Sequence, residues 1–210
     1  PSLQLIKYTK NIAIVNKESI ICGWNLIKKE LIRYKTTFIP VDSEHYSIFS
    51  LINNNTNPID RIYITASGGP FLNYSKLQVS KASLKNALNH PNWSMGKKIS
   101  VDSSTMMNKV FEVIEARNIF DINYDQISIL THPKSYVHAI VKFNNGLAKI
   151  LIHEPDMKIP IHNSIYYSEK KSIRSKPLNI DILNNLEFKK IDYNQFPLTK
   201  ILNLLPKKNS

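Results

Sequence analysis

Short apolar runs typical of β-strands alternate with segments of helical periodicity in the first third of the chain. The runs cover residues 11–15, 36–41 and 59–65, and apolar residues at helical spacing fill about 16–29 and 44–51 between them. Strands that alternate with helices are typical of α/β proteins. The sequence therefore predicts an α/β fold, with a sheet and flanking helices.

The pattern continues to about residue 165 and then weakens. The predicted elements are helices over about 80–88 and 103–118, a strand over 126–131, and a hairpin of 137–143 and 147–152. An Asn-Asn-Gly sequence between the last two runs is a strong hairpin turn signal. Residues 169–176 are polar and basic, which is typical of a connector. We expect the sparse remainder to wrap over another domain.

Composition excludes some classes of protein and leaves one open. No apolar run approaches the roughly 18 residues that span a bilayer, and the single cysteine, Cys22, allows no internal disulfide. The net charge of +12 would attract phosphates or nucleic acid. The basic residues are scattered, however, as amino-acid usage alone would leave them. A nucleic-acid-binding protein stays a remote alternative, because no recognisable nucleic-acid module accompanies the charge.

Two carboxylates lie two residues apart at the end of the second predicted strand. Asp42 and Glu44 flank Ser43 there, and ligands of α/β sheets bind at strand ends. Paired carboxylates suit a hard divalent cation. Ordinary N-capping of the following helix explains the same residues, so the sequence leaves both roles open.

Three further segments offer groups suited to an oxyanion. Ser67 and two glycines follow the third predicted strand, where the backbone can approach a ligand closely; a tight turn is the alternative. Ser103 stands at a predicted helix N-terminus, a favourable place for an anion. Asn108 and Lys109 follow one turn later, and Glu112 shares a helical face with Asn108. A solvated polar face would look the same in the sequence.

One histidine is placed like a ligand contact, and a common nucleotide motif is missing. None of the six histidines forms a zinc pattern with Cys22 or with another histidine. His90 opens a loop in which Trp93 and Met95 give an apolar body able to exclude water, as a lid does. The five glycines cannot build G-x-G-x-x-G, so that device for binding a dinucleotide is absent.

Longer motifs follow one another in a fixed order over roughly residues 10–165. They are Asn16-Lys17-Glu18-Ser19, Val41-Asp42-Ser43-Glu44-His45, Thr65 to Phe71, His90 to Ser103, Thr105 to Lys109, His132-Pro133 and Glu154 to Met157. Together they closely resemble the reductoisomerase family of the non-mevalonate isoprenoid pathway. The long central run makes this resemblance far more specific than any single short motif.

The resemblance implies a metal site and a set of catalytic residues. The implied cation is Mg²⁺ or Mn²⁺, held by three carboxylates: Asp42, Glu44 and Glu112. Lys17 and Ser43 would contact the hydroxyketone end of a sugar-phosphate substrate, and the resemblance also implies substrate contacts for Glu44 and Glu112. Catalytic roles are implied for three residues: Lys17, Glu44 and His90.

The resemblance also implies a phosphate site, a cofactor and a reaction. Four residues would hold the substrate's phosphate, with His90 closing over it: Ser67, Ser103, Asn108 and Lys109. Three residues match positions that touch NADPH: Asn16, Glu18 and Gly96. The family rearranges 1-deoxy-D-xylulose 5-phosphate to an aldehyde and reduces it with NADPH to 2-C-methyl-D-erythritol 4-phosphate. We expect a cytoplasmic homodimer with no nucleic-acid or membrane partner.

Measured against the family, the chain is expected to contain three parts. Residues 1–41 would be the last elements of a Rossmann-like NADPH-binding domain, and residues 42–165 the α+β catalytic domain that binds metal and substrate. Residues 166–210 would be a connector and the start of a C-terminal helical domain. The chain begins with Pro1 rather than methionine, and we expect it to begin inside a longer protein.

Two positions depart from the family pattern. Val110-Phe111 stands where the family usually has Gly-Leu, and Leu72 stands where an arginine often follows the Gly-Gly-Pro-Phe turn. We expect the larger side chain beside Lys109 to crowd the phosphate or to shift Glu112. Two alternatives to the full reaction follow. One is an inactive fragment or decaying gene product that keeps metal and sugar-phosphate binding, and the other is an enzyme that performs the rearrangement alone.

Overall fold

Two β-sheets and their flanking helices form the described part of the chain, residues 1–53 and 55–206, in a computed structural model. The helices are α1 (Ser2–Ile6), α2 (Lys17–Tyr34), α3 (Ser43–Ile52), α4 (Lys76–Ser80), α5 (Leu84–Leu88), α6 (Lys97–Ser104), α7 (Met107–Phe120), α8 (Lys158–Ile165) and α9 (Ile180–Asn184). The strands are β1 (Asn11–Ile14), β2 (Thr37–Pro40), β3 (Ile59–Ala66), β4 (Ile127–Thr131), β5 (Val137–Phe143), β6 (Ala148–Ile152) and β7 (Lys189–Lys190). Short 3₁₀ helices cover Tyr124–Gln126 and Pro197–Leu204. The predicted α/β fold, a sheet with flanking helices, is confirmed.

The smaller sheet consists of β1 and β2, which pair in parallel and are covered by α2. The side chain of Asn16 accepts a hydrogen bond from the backbone N–H of Ser19 and so starts α2. This helix was predicted to end near residue 29, but it continues to Tyr34 and ends at Lys35, which adopts the left-handed conformation. Trp24 of α2 packs edge-on against Phe38 of β2, with ring centroids 5.1 Å apart.

The larger sheet has five strands in the order β6-β5-β3-β4-β7. β3 and β4 are parallel, and every other pair in this sheet is antiparallel. Helices α3 and α7 bury apolar residues against it, including Ile48, Val113 and Ala116. The carboxyl end of β3 therefore opens beside the first turns of α3 and α7. None of the described helices combines the length and apolar character needed to cross a membrane.

The helix predicted over 103–118 is divided in two, which corrects that prediction. α6 ends at Ser104 and α7 begins at Met107, because Met106 takes a left-handed backbone conformation with φ of 63°. Similarly, the helix predicted over 80–88 is two short helices. Ser83 accepts a hydrogen bond from the N–H of Asn86 and starts the second of them. Local capping and tertiary contacts thus override continuous periodicity.

The C-terminal segment packs on the larger sheet. β7 pairs with β4, and Ile191 and Phe196 are buried in the core of that sheet. The side-chain amide of Gln195 donates hydrogen bonds to the carbonyls of Phe71 and Leu72, at 2.8 and 2.6 Å. Asn54, in the Asn-rich turn, and residues 207–210, at the end of the third expected part, lie outside the described residues.

Candidate active site

A cavity of about 620 Å³ opens where the ends of β2 and β3 meet α2, α3, α6 and α7. It is lined by every residue that was predicted to have a role: Asn16, Lys17, Glu18, Asp42, Ser43, Glu44, Ser67, His90, Gly96, Ser103, Asn108, Lys109 and Glu112. Because these residues come from six separate segments, the fold has gathered them from positions up to 96 residues apart. The cavity is therefore the candidate active site.

Three carboxylates converge on one side of this cavity. One oxygen from each of Asp42, Glu44 and Glu112 lies within 4.8 Å of the others. Asp42 occupies the N-cap position of α3, but its side chain makes no capping hydrogen bond. Glu44 follows in the first turn of α3, and Glu112 reaches in from α7. The carboxylate of Asp42 is thus directed to this cluster rather than to the helix end.

Two lysines partly neutralise the cluster. The Lys17 ammonium group contacts Asp42 directly, lies 3.6 Å from Glu112 Oε1 and donates to Glu115 Oε2 at 3.2 Å. The Lys109 ammonium group lies 2.8 Å from Glu44 Oε1 and 2.5 Å from Glu112 Oε2. All three carboxylates of the cluster therefore carry a lysine partner.

These charges shift one another's pKa values in opposite directions. Burial and the charge of Glu44 raise the pKa of Glu112 to about 8, which the two lysines only partly counter. Burial would raise the pKa of Glu44, but the Lys109 ammonium and His138 outweigh it and hold that pKa well below its usual range. Burial likewise would lower the pKa values of Lys17 and Lys109, but their carboxylate neighbours raise both. Both lysines remain cationic.

The donor set fits a hard divalent cation. Carboxylate oxygens are the ligands that Mg²⁺ and Mn²⁺ prefer, and the three here already face a common volume. Asn108 donates its side-chain N–H to Glu112 Oε1, while its buried Oδ1 has no hydrogen-bond partner among the described residues. A buried oxygen without a hydrogen-bond partner is costly. Asn108 Oδ1 therefore stands with the carboxylate oxygens as a further oxygen, one that lacks a donor within the described part of the chain.

Hydroxyl, amide and ammonium groups form the other side of the cavity. Ser67 follows β3, and its Oγ accepts a hydrogen bond from the N–H of Gly69 at 3.1 Å. Gly68 and Gly69 have φ of 88° and 63°, a conformation that glycine adopts without strain. A Cβ on Gly69 would lie 2.8 Å from the carbonyl oxygen of Ser103. The missing side chain lets the Ser67 turn and the Ser103 segment approach each other closely.

His90 connects the loop of residues 90–96 to this turn. Its Nδ1 accepts backbone N–H bonds from Asn92 and Trp93 at 3.1 and 3.0 Å. The ring hydrogen is therefore on Nε2, which donates to Ser67 Oγ at 3.1 Å. Burial and the nearby Lys109 charge lower the pKa of His90, which keeps the ring neutral. Asn92 anchors the loop by donating to Pro133 O and Ser135 Oγ, at 2.6 and 2.8 Å.

Three residues without a predicted role complete the surroundings of the carboxylates: Glu115, His138 and His153. Glu115 is 1% exposed and contacts Lys17; its spacing of three from Glu112 was the available signal. His138 lies 3.9 Å from Glu44 and stacks on His153 at 4.1 Å between ring centroids. Burial beside His138 lowers the pKa of His153 to about 4.

The two positions that depart from the family pattern lie outside the cavity lining. Val110 is completely buried and belongs to the packed side of α7. Leu72 packs over the turn, where a Cβ on Gly68 would meet its side chain at 2.5 Å. In this structure, Glu112 and Lys109 face the cavity with Val110 present.

The fold and the site define an α/β protein with a carboxylate site suited to a divalent cation, beside groups suited to a phosphate. Two profiles of one family match the sequence. "1-deoxy-D-xylulose 5-phosphate reductoisomerase C-terminal domain" matches residues 38–120, and "DXP reductoisomerase C-terminal domain" matches residues 152–208. The chain belongs to the 1-deoxy-D-xylulose 5-phosphate reductoisomerase family.

Relatives extend the match across the whole chain. The 1-deoxy-D-xylulose 5-phosphate reductoisomerase of Pelagibacter ubique strain HTCC1062 is 63% identical over 211 residues, which are 100% of this chain and 54% of the relative. The enzyme of Wolbachia pipientis wMel is 44% identical over 96% of this chain and 52% of its own length. The chain spans about half the length of the curated relatives it matches.

Solved structures agree in fold. A crystal structure of DOX-P reductoisomerase in complex with NADPH, fosmidomycin and magnesium matches with a TM-score of 0.89 and 37% identity, over 97% of this chain and 52% of that one. The reductoisomerase from Zymomonas mobilis in complex with NADPH matches with a TM-score of 0.86 and 35% identity, over 96% of this chain and 52% of that one.

Proposed function

We propose that the chain supplies the metal and sugar-phosphate site of a 1-deoxy-D-xylulose 5-phosphate reductoisomerase. The observation that carries the proposal is the meeting of three carboxylates, Asp42, Glu44 and Glu112, with a phosphate-type pocket in one cavity. The family membership supplies the substrate, 1-deoxy-D-xylulose 5-phosphate, and the product, 2-C-methyl-D-erythritol 4-phosphate. The structural relative described above, in complex with magnesium and NADPH, supports the same cofactors here.

The carboxylates would hold Mg²⁺ or Mn²⁺. When bound, such a cation polarises a substrate carbonyl and acidifies a neighbouring hydroxyl. Glu44 acts as a ligand and, together with Lys17 and Ser43, holds the hydroxyketone end of the substrate. Lys17 is cationic and 14% exposed through the cavity, so its ammonium group can stabilise negative charge that develops on a substrate oxygen.

The opposite side of the cavity would hold the phosphate. Four residues offer donors there: Ser67, Ser103, Asn108 and Lys109. Binding the phosphate at a distance from the reacting carbons orients them without a direct role in bond breaking. His90 closes over this end, since its loop is already tied to Ser67 through the Nε2 hydrogen bond. Trp93 and Met95 of that loop also line the cavity and exclude water from the aldehyde.

NADPH would approach from the start of α2. Asn16, Glu18 and Gly96 line that end of the cavity, and bound NADPH supplies the hydride. We propose residues 1–41 as the adjoining part of the nucleotide-binding domain, 42–165 as the catalytic domain, and 166–210 as the connector into a helical domain. From family membership we also propose a homodimer located in the cytoplasm.

Manganese titration tests the metal site. We expect Mn²⁺ to bind the wild-type chain, as followed by electron paramagnetic resonance of the free ion, and Glu44→Gln or Glu112→Gln to weaken binding at least tenfold. Glu187→Gln is the matched control, because Glu187 is 66% exposed and pairs only with Lys189 among the described residues. Equal affinities for all four proteins would refute the carboxylate assignment.

Substrate titration separates the remaining alternatives. With Mn²⁺ present, 1-deoxy-D-xylulose 5-phosphate should bind in calorimetry, and Lys109→Met should abolish binding. Loss of NADPH absorbance at turnover would show the full reaction, and aldehyde formation without NADPH oxidation would show the rearrangement alone. Binding without either would identify a chain that keeps only the sites. A nucleic-acid-binding protein would instead bind duplexes with an affinity that falls steeply with salt.

A further inference from the structure

Lys17 is surrounded by more negative charge than one ammonium group needs. It contacts Asp42 and Glu115, with Glu112 at 3.6 Å. Asp42 and Glu112 belong to the proposed metal ligands, whereas Glu115 lies behind Lys17 and outside the cavity lining. Glu115 is also 1% exposed, and burying a carboxylate is costly unless it is paired. The three proposed metal ligands alone do not explain why a further carboxylate is buried beside Lys17.

A divalent cation and Lys17 compete for the same oxygens. Lys17 holds Asp42 and neighbours Glu112, so a cation bound by those carboxylates must weaken both contacts by repulsion and by taking the oxygen lone pairs. The Lys17 side chain is only 14% exposed, and a buried ammonium group that loses its acidic partner is costly. Glu115 Oε2 lies 3.2 Å from the Lys17 ammonium nitrogen. Because Glu115 is not one of the three proposed metal ligands, it can stay paired with Lys17 when they bind a cation.

We propose that Glu115 is a positioning residue that takes over the Lys17 ammonium group when a divalent cation occupies Asp42, Glu44 and Glu112. This inference rests on the proposed function, since it assumes that metal site. Glu115 holds the Lys17 ammonium group at the cavity wall after metal binding, where Lys17 can meet the substrate. It also lowers the free energy cost of removing Lys17 from Asp42, and so strengthens metal binding.

The geometry offers one competing role for Glu115. Ligand atoms of Asp42, His45 and Glu115 also lie within 4.8 Å of one another, as a second possible metal group. His45 Nε2 lies 2.9 Å from the backbone carbonyl of Glu112 and must donate to it, which leaves Nδ1 facing Asp42 at 3.9 Å. Neither His45 nor Glu115 lines the cavity, whereas Asp42, Glu44 and Glu112 all do. We therefore favour a lysine partner at Glu115 over a metal ligand.

A double-mutant cycle decides between these roles. The dissociation constant of Mn²⁺ is measured by electron paramagnetic resonance for four proteins: wild type, Lys17→Met, Glu115→Gln and the double variant. Lys17→Met should bind Mn²⁺ more tightly, because the competing ammonium group is gone. Glu115→Gln should weaken binding on the order of tenfold in the wild-type background, a coupling typical of contacting charged groups. In the Lys17→Met background the same change should have an effect below about twofold.

The controls keep the outcomes distinct. If wild type binds no Mn²⁺, the proposed function fails and this inference fails with it. If Mn²⁺ binds and Glu115→Gln weakens it equally in both backgrounds, Glu115 acts on the metal directly and only this inference is overturned. Glu115→Asp should recover part of the affinity. Should Glu115→Gln not fold by circular dichroism, Lys17→Met alone still decides, since unchanged Mn²⁺ affinity would refute the competition.

Discussion

Gly69→Ala should destabilise the protein much more than Gly146→Ala, although both glycines have positive φ. Their φ values are 63° and 85°, so alanine pays a similar backbone cost of about 1–2 kcal/mol at each. At Gly146 nothing lies within 4 Å of an added Cβ. At Gly69 the Cβ would lie 2.8 Å from the Ser103 carbonyl oxygen, 3.1 Å from its carbon and 3.2 Å from Ser104 Cα.

These neighbours are backbone atoms, which cannot turn away as a side chain can. Forcing extra volume into such a contact typically costs about 1–3 kcal/mol, so the total for Gly69→Ala is about 2–5 kcal/mol. The strain would separate the Ser67 turn from the Ser103 segment, and so we also expect weaker sugar-phosphate binding. Gly96 has negative φ and open space around it, which makes Gly96→Ala a second control without steric strain; because Gly96 is the N-cap of α6, we expect a loss of no more than about 1 kcal/mol.

Urea unfolding followed by circular dichroism measures these free energies for the three variants and the wild type. The slope of the unfolding free energy against urea concentration should be the same for all four proteins, so that a shift of the midpoint reports a change in stability alone. Equal losses for Gly69→Ala and Gly146→Ala would refute the argument, because the close approach to Ser103 would then contribute nothing. Unchanged sugar-phosphate affinity in Gly69→Ala would show that the two segments hold the phosphate independently.

Two further predictions concern the C-terminal segment and the carboxylates. Phe196→Ala should cost about 3–5 kcal/mol in urea unfolding because Phe196 is buried in the sheet core, whereas Leu204→Ala, at 83% exposed, should stay within about 0.5 kcal/mol; similar losses would contradict this packing. Folding raises the pKa values of Glu112 and Glu115 from 4.5 to about 8 and about 7. Their contribution to stability is therefore fully present below pH 4.5 and is lost as pH rises through 7 and 8. When a chelator keeps the site free of metal, Glu112→Gln should flatten the decline in unfolding free energy between pH 5 and 9. The same pH dependence in Glu112→Gln and wild type would contradict the raised pKa of Glu112.

The strands were predictable because each is a short apolar run bounded by polar residues. The run 137–143 matches β5, and 59–65 matches β3 to within one residue. Their order in the sheet was not predictable from periodicity, since β3 pairs with β4 although 60 residues, 67–126, separate the two strands. Such distant pairings depend on packing that no local pattern encodes.

The division between α6 and α7 shows a second limit. Methionine is a good helix former, and nothing in the residues around Met106 signals a left-handed backbone. The break coincides with the close approach of Gly69 to Ser103, a tertiary contact between segments far apart in sequence. Tertiary context of this kind commonly overrides local propensity.

The site was predictable in residue type but not in its charge pairing. The family resemblance implied Asp42, Glu44 and Glu112 as ligands, and the structure brings the three together, but Glu115 had no predicted role. From sequence, a polar helical face that meets solvent and one that meets buried lysines look identical. The burial of Glu115 at 1% exposed depends on where Lys17 arrives from α2, which only the assembled fold determines.

The pairing of Lys17 and Lys109 with the acidic cluster has a consequence for how the protein matures. Many small metal-binding domains unfold without their ion, because repulsion and unsatisfied ligands leave the empty site unstable. Here the chain carries its own counterions, with Lys109 2.8 Å from Glu44 and Lys17 on Asp42. These ammonium groups offset part of the repulsion among the carboxylates of the empty site, so we expect the fold to assemble before any metal arrives. Metal supply would then govern when the protein acquires its chemistry, and would add stability to a chain that is already folded.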